Sequence, residues 1–470
     1  MNNDRTLLPH KKSSAEPMPS VYDFVGPKLE QIAQELHDSL ISYAENDHFS
    51  ANLDAAFHLF FSEDTLEILD PEEEAAFISF IEWFIYDYRL APTRGRLIDR
   101  FLKERGQRLG PLEKAMLRQW TASTICLYEV YVTKDDGIGA ENLFTGERIW
   151  VTDANMAAGV TLWSVLLCRL LPVGDNYQPS GAALEVPPMF KHDILRQAQS
   201  DFRRWQRRGK RGGWPEYLKE RGYLLNSTIA RQFAAGQKEF MDQDGHHFAA
   251  GRPQTDSALS PETRDKLLHQ YYEDYYCQWP DTPHPALRGL TPRHYCKSPA
   301  GRRQVRELLK ELEFIEERKK QAGEAHYDIG KLRRTLNLPQ EELQPDRARI
   351  KWSKPVYARI AEELRRSLAD AGYLKLQVDN AVQLWADFCR QGRPEIKKNQ
   401  SWLAALEYTM ARLELTSGVT QKELGRKYQV AAGTISGNYR TIWKTLGLEN
   451  FDQRYTTQED PYSKLLRFLR

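Results

Sequence analysis

The chain lacks any apolar run long enough to cross a membrane. The best candidate, LWSVLLCRLLPV at 162–173, is short and closes on Pro172 and Val173, so no membrane is expected among its partners. It is also poor in cysteine. Five residues, Cys126, Cys168, Cys277, Cys296 and Cys389, are an odd number without a CxxC pair, which excludes a disulfide framework and fits reduced thiols in a cytoplasmic protein. The first twenty residues, MNNDRTLLPHKKSSAEPMPS, have no apolar centre and are expected to be a disordered lead-in, not a signal peptide. The phosphate loop GxxxxGK[ST], a GxGxxG turn after a strand, HExxH and the nucleophile elbow are all missing. No catalytic constellation, cofactor or metal is therefore expected. Charge of one sign is lacking too. The net charge of +1 on 470 residues excludes a uniformly basic binder, although EDTLEILDPEEE at 63–74 is acidic and DFRRWQRRGKRGG at 201–213 is basic.

What is present is 41% hydrophobic residues, enough for several globular cores. Helical spacing dominates, giving a mainly α, multidomain chain. After a lead-in at 1–25, residues 26–122 form a helical domain. There Phe77, Phe80, Ile81, Phe84, Ile85 and Tyr88 recur three and four apart. Pro71 and the glutamates after it start that helix, which is expected to end near Leu90. Residues 123–188 change to a period of two, with tight turns at LysAspAspGly and ThrGly, and predict a small antiparallel sheet or partial barrel. A basic helical segment follows at 189–240, then a polar linker at 241–260. The rest is helical: a helix-loop-helix at 261–320, a connector at 321–375, a closing block at 376–450 and a tail at 451–470.

The sharpest local pattern is TQKELGRKYQVAAGTISGNYRTIWKTLGL at 420–448. Thr420 is placed to cap a short helix ending at Tyr428. Val430 then acts as an apolar plug, AlaAlaGly at 431–433 makes a turn, and a second helix runs from Thr434 to Leu446 with Ile435, Tyr439, Ile442 and Leu446 on its inner face. Gly425 sits where the second helix must approach the first, and Gln429 occupies a turn position where glycine is usual. This register is that of a helix-turn-helix. Its exposed residues suit double-stranded DNA. Thr434, Ser436 and Asn438 are short and polar for a groove, while Lys422, Arg426, Lys427, Arg440 and Lys444 can meet phosphates. A helical hairpin with a solvated basic face is the plainer alternative.

The preceding residues extend the pattern. Ala404 and Ala405, Thr420 to Leu424, Val430, Thr434 with Ile435, and Tyr439 with Arg440 resemble one cyclin-box repeat of the transcription factor IIB type. The resemblance implies a cyclin-like helical module over 376–450 whose last two helices can dock on DNA. A single repeat is evident, without a zinc ribbon ahead of it, so a general initiation role is not implied.

The segment YYEDYYCQWPDTPHPALRGLTPRHYCKSPAGRRQVRELLKELE at 271–313 is the other specific stretch. Its ProAlaLeuArgGlyLeuThrPro loop, followed by a Gly-Arg helix, resembles the toxin-binding domain of Xre-type antitoxins and segments of bacterial SEC-C-type proteins. FIEWFIYDYRL and CLYEV are similar to the latter as well. The cysteine-rich SEC-C metal motif is absent. The resemblance implies a protein partner at 261–320, met through Pro285, Ala286, Leu287, Gly289, Thr291 and Pro292, although a rigid corner built for folding alone explains the same residues. Cys277, His284, His294 and Cys296 are close in sequence, but their spacing matches no usual zinc site.

Finally, RRWQRRGKRGGW at 203–214 offers arginines for a nucleic-acid backbone, with Trp205 and Trp214 either stacked on unpaired bases or turned into a core. The reading that joins most of these signals is a DNA-binding regulatory protein with additional protein-interaction modules. An antitoxin-like or adaptor protein without DNA binding, and an RNA-associated protein using the sheet and the arginine-rich helix, are the alternatives.

Overall fold

A computed structural model describes residues 21–66, 74–181, 183–240, 261–287, 289–338, 350–416, 418–452 and 454–458. Most of the lead-in at 1–25, the helix start at Pro71, the linker at 241–260 and the tail beyond 458 lie outside the described residues. The fold is mainly α-helical and multidomain, with one small sheet.

The N-terminal helices are α1 (Val21–Ala44), α2 (Ser50–Phe60), α3 (Glu63–Leu66), α4 (Glu74–Tyr86), α5 (Leu97–Arg105) and α6 (Pro111–Trp120). They enclose one aromatic-rich core around Phe60, Phe80, Trp83, Phe84, Phe101 and Trp120. Pro111 occupies the first turn of α6, and Glu113 accepts from the Gly110 amide to close the cap. α4 stops at Tyr86, short of the expected Leu90. Asp87, the next residue, turns its carboxylate into a buried ion pair with Arg169 and Lys219.

The sheet consists of β1 (Ile125–Lys134), β2 (Gly137–Asn142), β3 (Arg148–Thr152), β4 (Val165–Val173), β5 (Asn176–Pro179) and β6 (Leu184–Val186), with α7 (Ala154–Gly159) between β3 and β4. Strand order is β1-β2-β3-β5-β4-β6, and β1 also pairs with β4, so five strands close into a ring with β6 added on β4. A register shift between Val130 and Val132 bends β1 so that it serves both neighbours. The pairs are antiparallel as expected, except that β3 and β5 meet in parallel at Val151 and Tyr177. That one parallel contact closes the barrel.

Helices α8 (Lys191–Arg207), α9 (Trp214–Arg221) and α10 (Leu224–Phe240) follow. They are not a separate module. Ile194, Ala198, Phe202, Trp205, Trp214 and Tyr217 join Leu127, Phe144 and Leu166 in a single core with the barrel.

The middle of the chain holds α11 (Pro261–Gln278), α12 (Pro292–Tyr295), α13 (Pro299–Gln321) and α14 (Ile329–Thr335) around Tyr276, Trp279, Leu287, Val305, Leu309 and Leu332. α13 docks on the barrel largely through charge. Lys191 bonds Glu129 and Glu307, both at 2.6 Å, and Lys310 bonds the same two carboxylates at 2.9 and 3.0 Å. One turn on, Trp163 donates its indole N–H to Glu313 at 2.7 Å while Lys310 lies over its ring.

The C-terminal bundle comprises α15 (Pro355–Asp370), α16 (Lys375–Gly392), α17 (Asn399–Leu413), α18 (Gln421–Tyr428) and α19 (Ala432–Leu446). α17 is the centre. Leu403, Ala404, Ala405, Leu406 and Met410 are buried, and the other four helices pack around it. Tyr357, Ile360, Leu364 and Leu368 of α15 lie in this same core, so the bundle begins near 350 and includes part of the stretch read as a connector.

Candidate nucleic-acid interface

The Thr420 hydroxyl accepts from the Glu423 amide at 3.2 Å, and the Glu423 carboxylate accepts from the Thr420 amide at 2.9 Å. This reciprocal cap fixes the start of α18. The helix ends at Gln429, in the left-handed conformation at φ 54° and ψ 48°, where the sequence places an unfavourable non-glycine residue. Gly425 is needed here. A Cβ on it would stand 2.7 Å from the Val430 carbonyl oxygen, so its role is to admit the turn itself and not the second helix. Beneath the corner, Leu424 and Ile435 close on Ala404, flanked by Val419, Tyr428 and Val430. α19 starts at Ala432, with Ala431 as its N-cap. AlaAlaGly is thus helix start more than turn, and the turn is Gln429 to Ala431.

The residues expected to face DNA divide into two sets. Lys422, Arg426, Thr434, Arg440 and Lys444 are exposed. Two others are engaged with the fold: Lys427, although also exposed, bonds Glu407 at 2.8 Å and approaches the Ser367 carbonyl, and the half-buried Asn438 donates to the Ser401 carbonyl at 3.2 Å. Ser436 is half-buried. Alongside Thr434, the surface of α19 shows Gly433 and Gly437, where an added Cβ would meet nothing within 4 Å, followed by Thr441. A flat surface of small residues bordered by Arg440 and Lys444 can come close to a polyanion.

Elsewhere the expected site residues are used by the fold. Leu287 and Pro292 are buried, and the Thr291 hydroxyl accepts from the His294 amide to cap α12. His284 accepts from the Ala286 amide, and its carbonyl receives the Gly289 amide, closing the loop on itself. Leu287, Thr291 and Pro292 are thus held as the rigid-corner alternative expects, with Leu287 and Pro292 buried and Thr291 half-buried. Ala286 is half-buried, Gly289 and Leu290 are exposed, and the Pro285 side chain lies outside the described residues. Among the described residues no three His, Cys, Asp or Glu side chains are placed to hold a metal.

Trp205 and Trp214 are 6% and 4% exposed, and both pack on Phe202. The choice between base stacking and core is settled for core. The barrel surface holds two pairs with no clear signal in the sequence: Lys134 over Trp150 and Arg148 over Tyr131. The rings lie above Gly137 and Gly139, which is how a sheet covers bare glycines. Asp135, Asp136, Glu141 and Glu147 surround them on the chain, an acidic setting that disfavours a phosphate backbone.

Residues 28–208, from α1 through the barrel to the end of α8, match the model of a family of unknown function, DUF7986. A relative from Bacillus subtilis (strain 168), uncharacterized protein YccF, is 29% identical over 110 residues, covering 23% of this chain and 31% of that protein's length. No solved structure matches the chain. Among the described residues no helix is long and apolar enough to cross a membrane.

Proposed function

We propose that the chain is a cytoplasmic DNA-binding protein with a regulatory role, its α18–α19 pair acting as a helix-turn-helix at the end of a cyclin-like bundle. The observation that carries this reading is the exposed face of α19. Thr434, Gly437 and Thr441 leave room for a groove wall, and Arg440 and Lys444 stand beside them, on a helix whose other face is held by α17. A five-helix bundle that ends in α18 and α19 supports the helical module that the resemblance implies. The N-terminal helices, barrel and middle domain serve protein contacts in this reading, without catalysis or a cofactor. The RNA-associated alternative loses its two stacking tryptophans to the core.

Fluorescence anisotropy of the full chain against a mixed-sequence duplex at two salt concentrations tests the proposal. Affinity that falls steeply with salt, and falls again in Arg440→Ala/Lys444→Ala, supports it. Absence of duplex binding by the folded wild type rejects it.

A further inference from the structure

The sequence carries two basic stretches about two hundred residues apart, 203–213 and 420–444, and the fold joins them. The end of α8 is fastened to the C-terminal bundle by several contacts. Gln199 donates to the Gly372 carbonyl at 2.9 Å, Gln206 donates to the Asp370 carbonyl at 3.0 Å, and Arg203 lies over the Tyr373 ring. Phe202 fills the place that a Cβ on Gly372 would take. Beyond this anchor the chain turns outward. Gly209 and Gly212 adopt φ 79° and 135°, a tight loop that leaves Arg207, Arg208, Lys210 and Arg211 exposed. Arg207 is directed at the connection that leads into α18. Its Nη1 lies 4.0 Å from the position of a Cβ on Gly418, two residues before the Thr420 cap.

We infer that the 207–211 loop is a second phosphate-contacting element, which extends the duplex footprint of α18 and α19 onto the neighbouring backbone. The inference rests on the DNA-binding reading of that pair. Charge supports the loop as a phosphate site. Of its four exposed cations, Lys210 forms a solvent-exposed pair with Glu220 at 3.0 Å, and the preceding Arg204 is matched by Asp201. The Arg207 Nε donates only at long range, 3.4 Å, to the Arg203 carbonyl, so its outer nitrogens remain oriented towards the bundle edge. Exposed pairs of this kind are worth little in water and exchange readily for a phosphate. The two elements also differ in function. The helix pair offers short polar groups for a groove, whereas the loop holds only cations and glycines, so its contribution is independent of base sequence.

The test measures log Kd against log salt concentration for the full chain on a duplex of about 30 base pairs, roughly three helical turns. In Arg207→Ala/Arg208→Ala/Arg211→Ala the slope should fall by about 0.9 for each phosphate that is no longer neutralised, up to about 2.7, with affinity at about 0.1 M salt weakened at least roughly tenfold. The Arg→Lys triple at the same positions should keep the wild-type slope, because a point charge suffices. If the alanine variant keeps the wild-type slope while Arg440→Ala/Lys444→Ala lowers it, the loop does not touch the duplex and only this inference falls. If the lysine variant loses the slope as fully as the alanine one, the effect is structural and the inference falls likewise. A wild type that does not bind the duplex removes both this inference and the reading beneath it.

Discussion

The ammonium of Lys427 lies 2.8 Å from a carboxylate oxygen of Glu407, a residue only 3% exposed at the centre of α17. The same carboxylate accepts from the Tyr428 hydroxyl, which contacts Ser367 of α15. One buried acid thus ties three helices together, and Lys427 belongs to that tie more than to a DNA surface. Lys427→Ala should therefore destabilise the bundle by about 1–3 kcal/mol, the cost of stripping a partner from a buried polar group. It should weaken duplex binding much less than Arg440→Ala. Urea unfolding and anisotropy on the same variants check both halves; a large affinity loss at unchanged stability would contradict this.

Asn438 allows a similar distinction. Its amide donates to the Ser401 carbonyl, at the start of α17, and so fixes how α19 leans on the bundle. Asn438→Ala is expected to cost about 1 kcal/mol of stability and to leave base preference unchanged. A binding-site selection on wild type and variant would reveal a changed consensus if Asn438 read a base instead.

At Gly425 the constraint is steric. A methyl group would be driven to 2.7 Å from the Val430 carbonyl oxygen, a backbone atom that cannot rotate away. Gly425→Ala should shift the turn and cost about 1–3 kcal/mol, the usual range for overpacking. A lowered urea midpoint with an unchanged m-value is the expected outcome, and wild-type stability would show that the turn has slack.

These positions also show what the sequence makes legible. The Thr420 cap, the Val430 plug, the inward Ile435 and the turn at Gln429 depend on near neighbours in the chain, so their spacing reveals them. The strand period and the ThrGly hairpin at 145–146 are equally local, and β2 and β3 form around them. The parallel contact of β3 with β5 is not local, and a period of two says nothing about which edges meet. The start of α19 is misplaced because AlaAlaGly suits a turn by its glycine and a helix by its alanines, and the bundle beneath decides. The docking of α13 is hidden for a different reason. Glu307, Lys310 and Glu313 look like a solvated helical face, and only the opposing Lys191, Glu129 and Trp163 make them an interface. Trp205 and Trp214 had two equally chemical readings, and only their contact with Phe202 selects one.

That charged interface has a measurable consequence. Burial alone would raise the Glu129 carboxyl, but Lys191 and then Lys310 outweigh it and hold Glu129 below the ordinary carboxylate range. A depressed acid stabilises the fold at pH values above its ordinary range and loses that contribution as pH falls through its folded value. Removing the charge in Glu129→Gln leaves two buried ammonium groups sharing Glu307, and should destabilise the fold by about 3–5 kcal/mol at neutral pH. The gap between wild type and variant should close on acidification. Chemical unfolding at pH 7 and at steps descending from pH 4.5 measures it, and a gap that stays constant throughout would contradict the assignment.

Glu82 gives the opposite sign. It is buried between α4 and the barrel, where the Ser180 hydroxyl donates to it. Burial pushes its carboxyl up to about 8, only partly offset by Arg169 and reinforced by Asp87. At pH 7 the folded protein therefore keeps this proton, whereas the unfolded chain has lost it. An acid raised in the folded state contributes stability that is fully present below its unfolded value near 4.5 and is lost as pH rises to about 8. The full displacement corresponds to roughly 5 kcal/mol as an upper bound. Glu82→Gln replaces the neutral acid with a neutral amide of nearly the same shape, and so removes this dependence. Wild type and variant should have similar stability at pH 5, with the variant gaining steadily up to pH 8, where its advantage is largest. Urea midpoints of both proteins across that range would show the two curves diverging; parallel curves would mean that Glu82 is ionised in the folded protein, with Arg169 as its counter-charge.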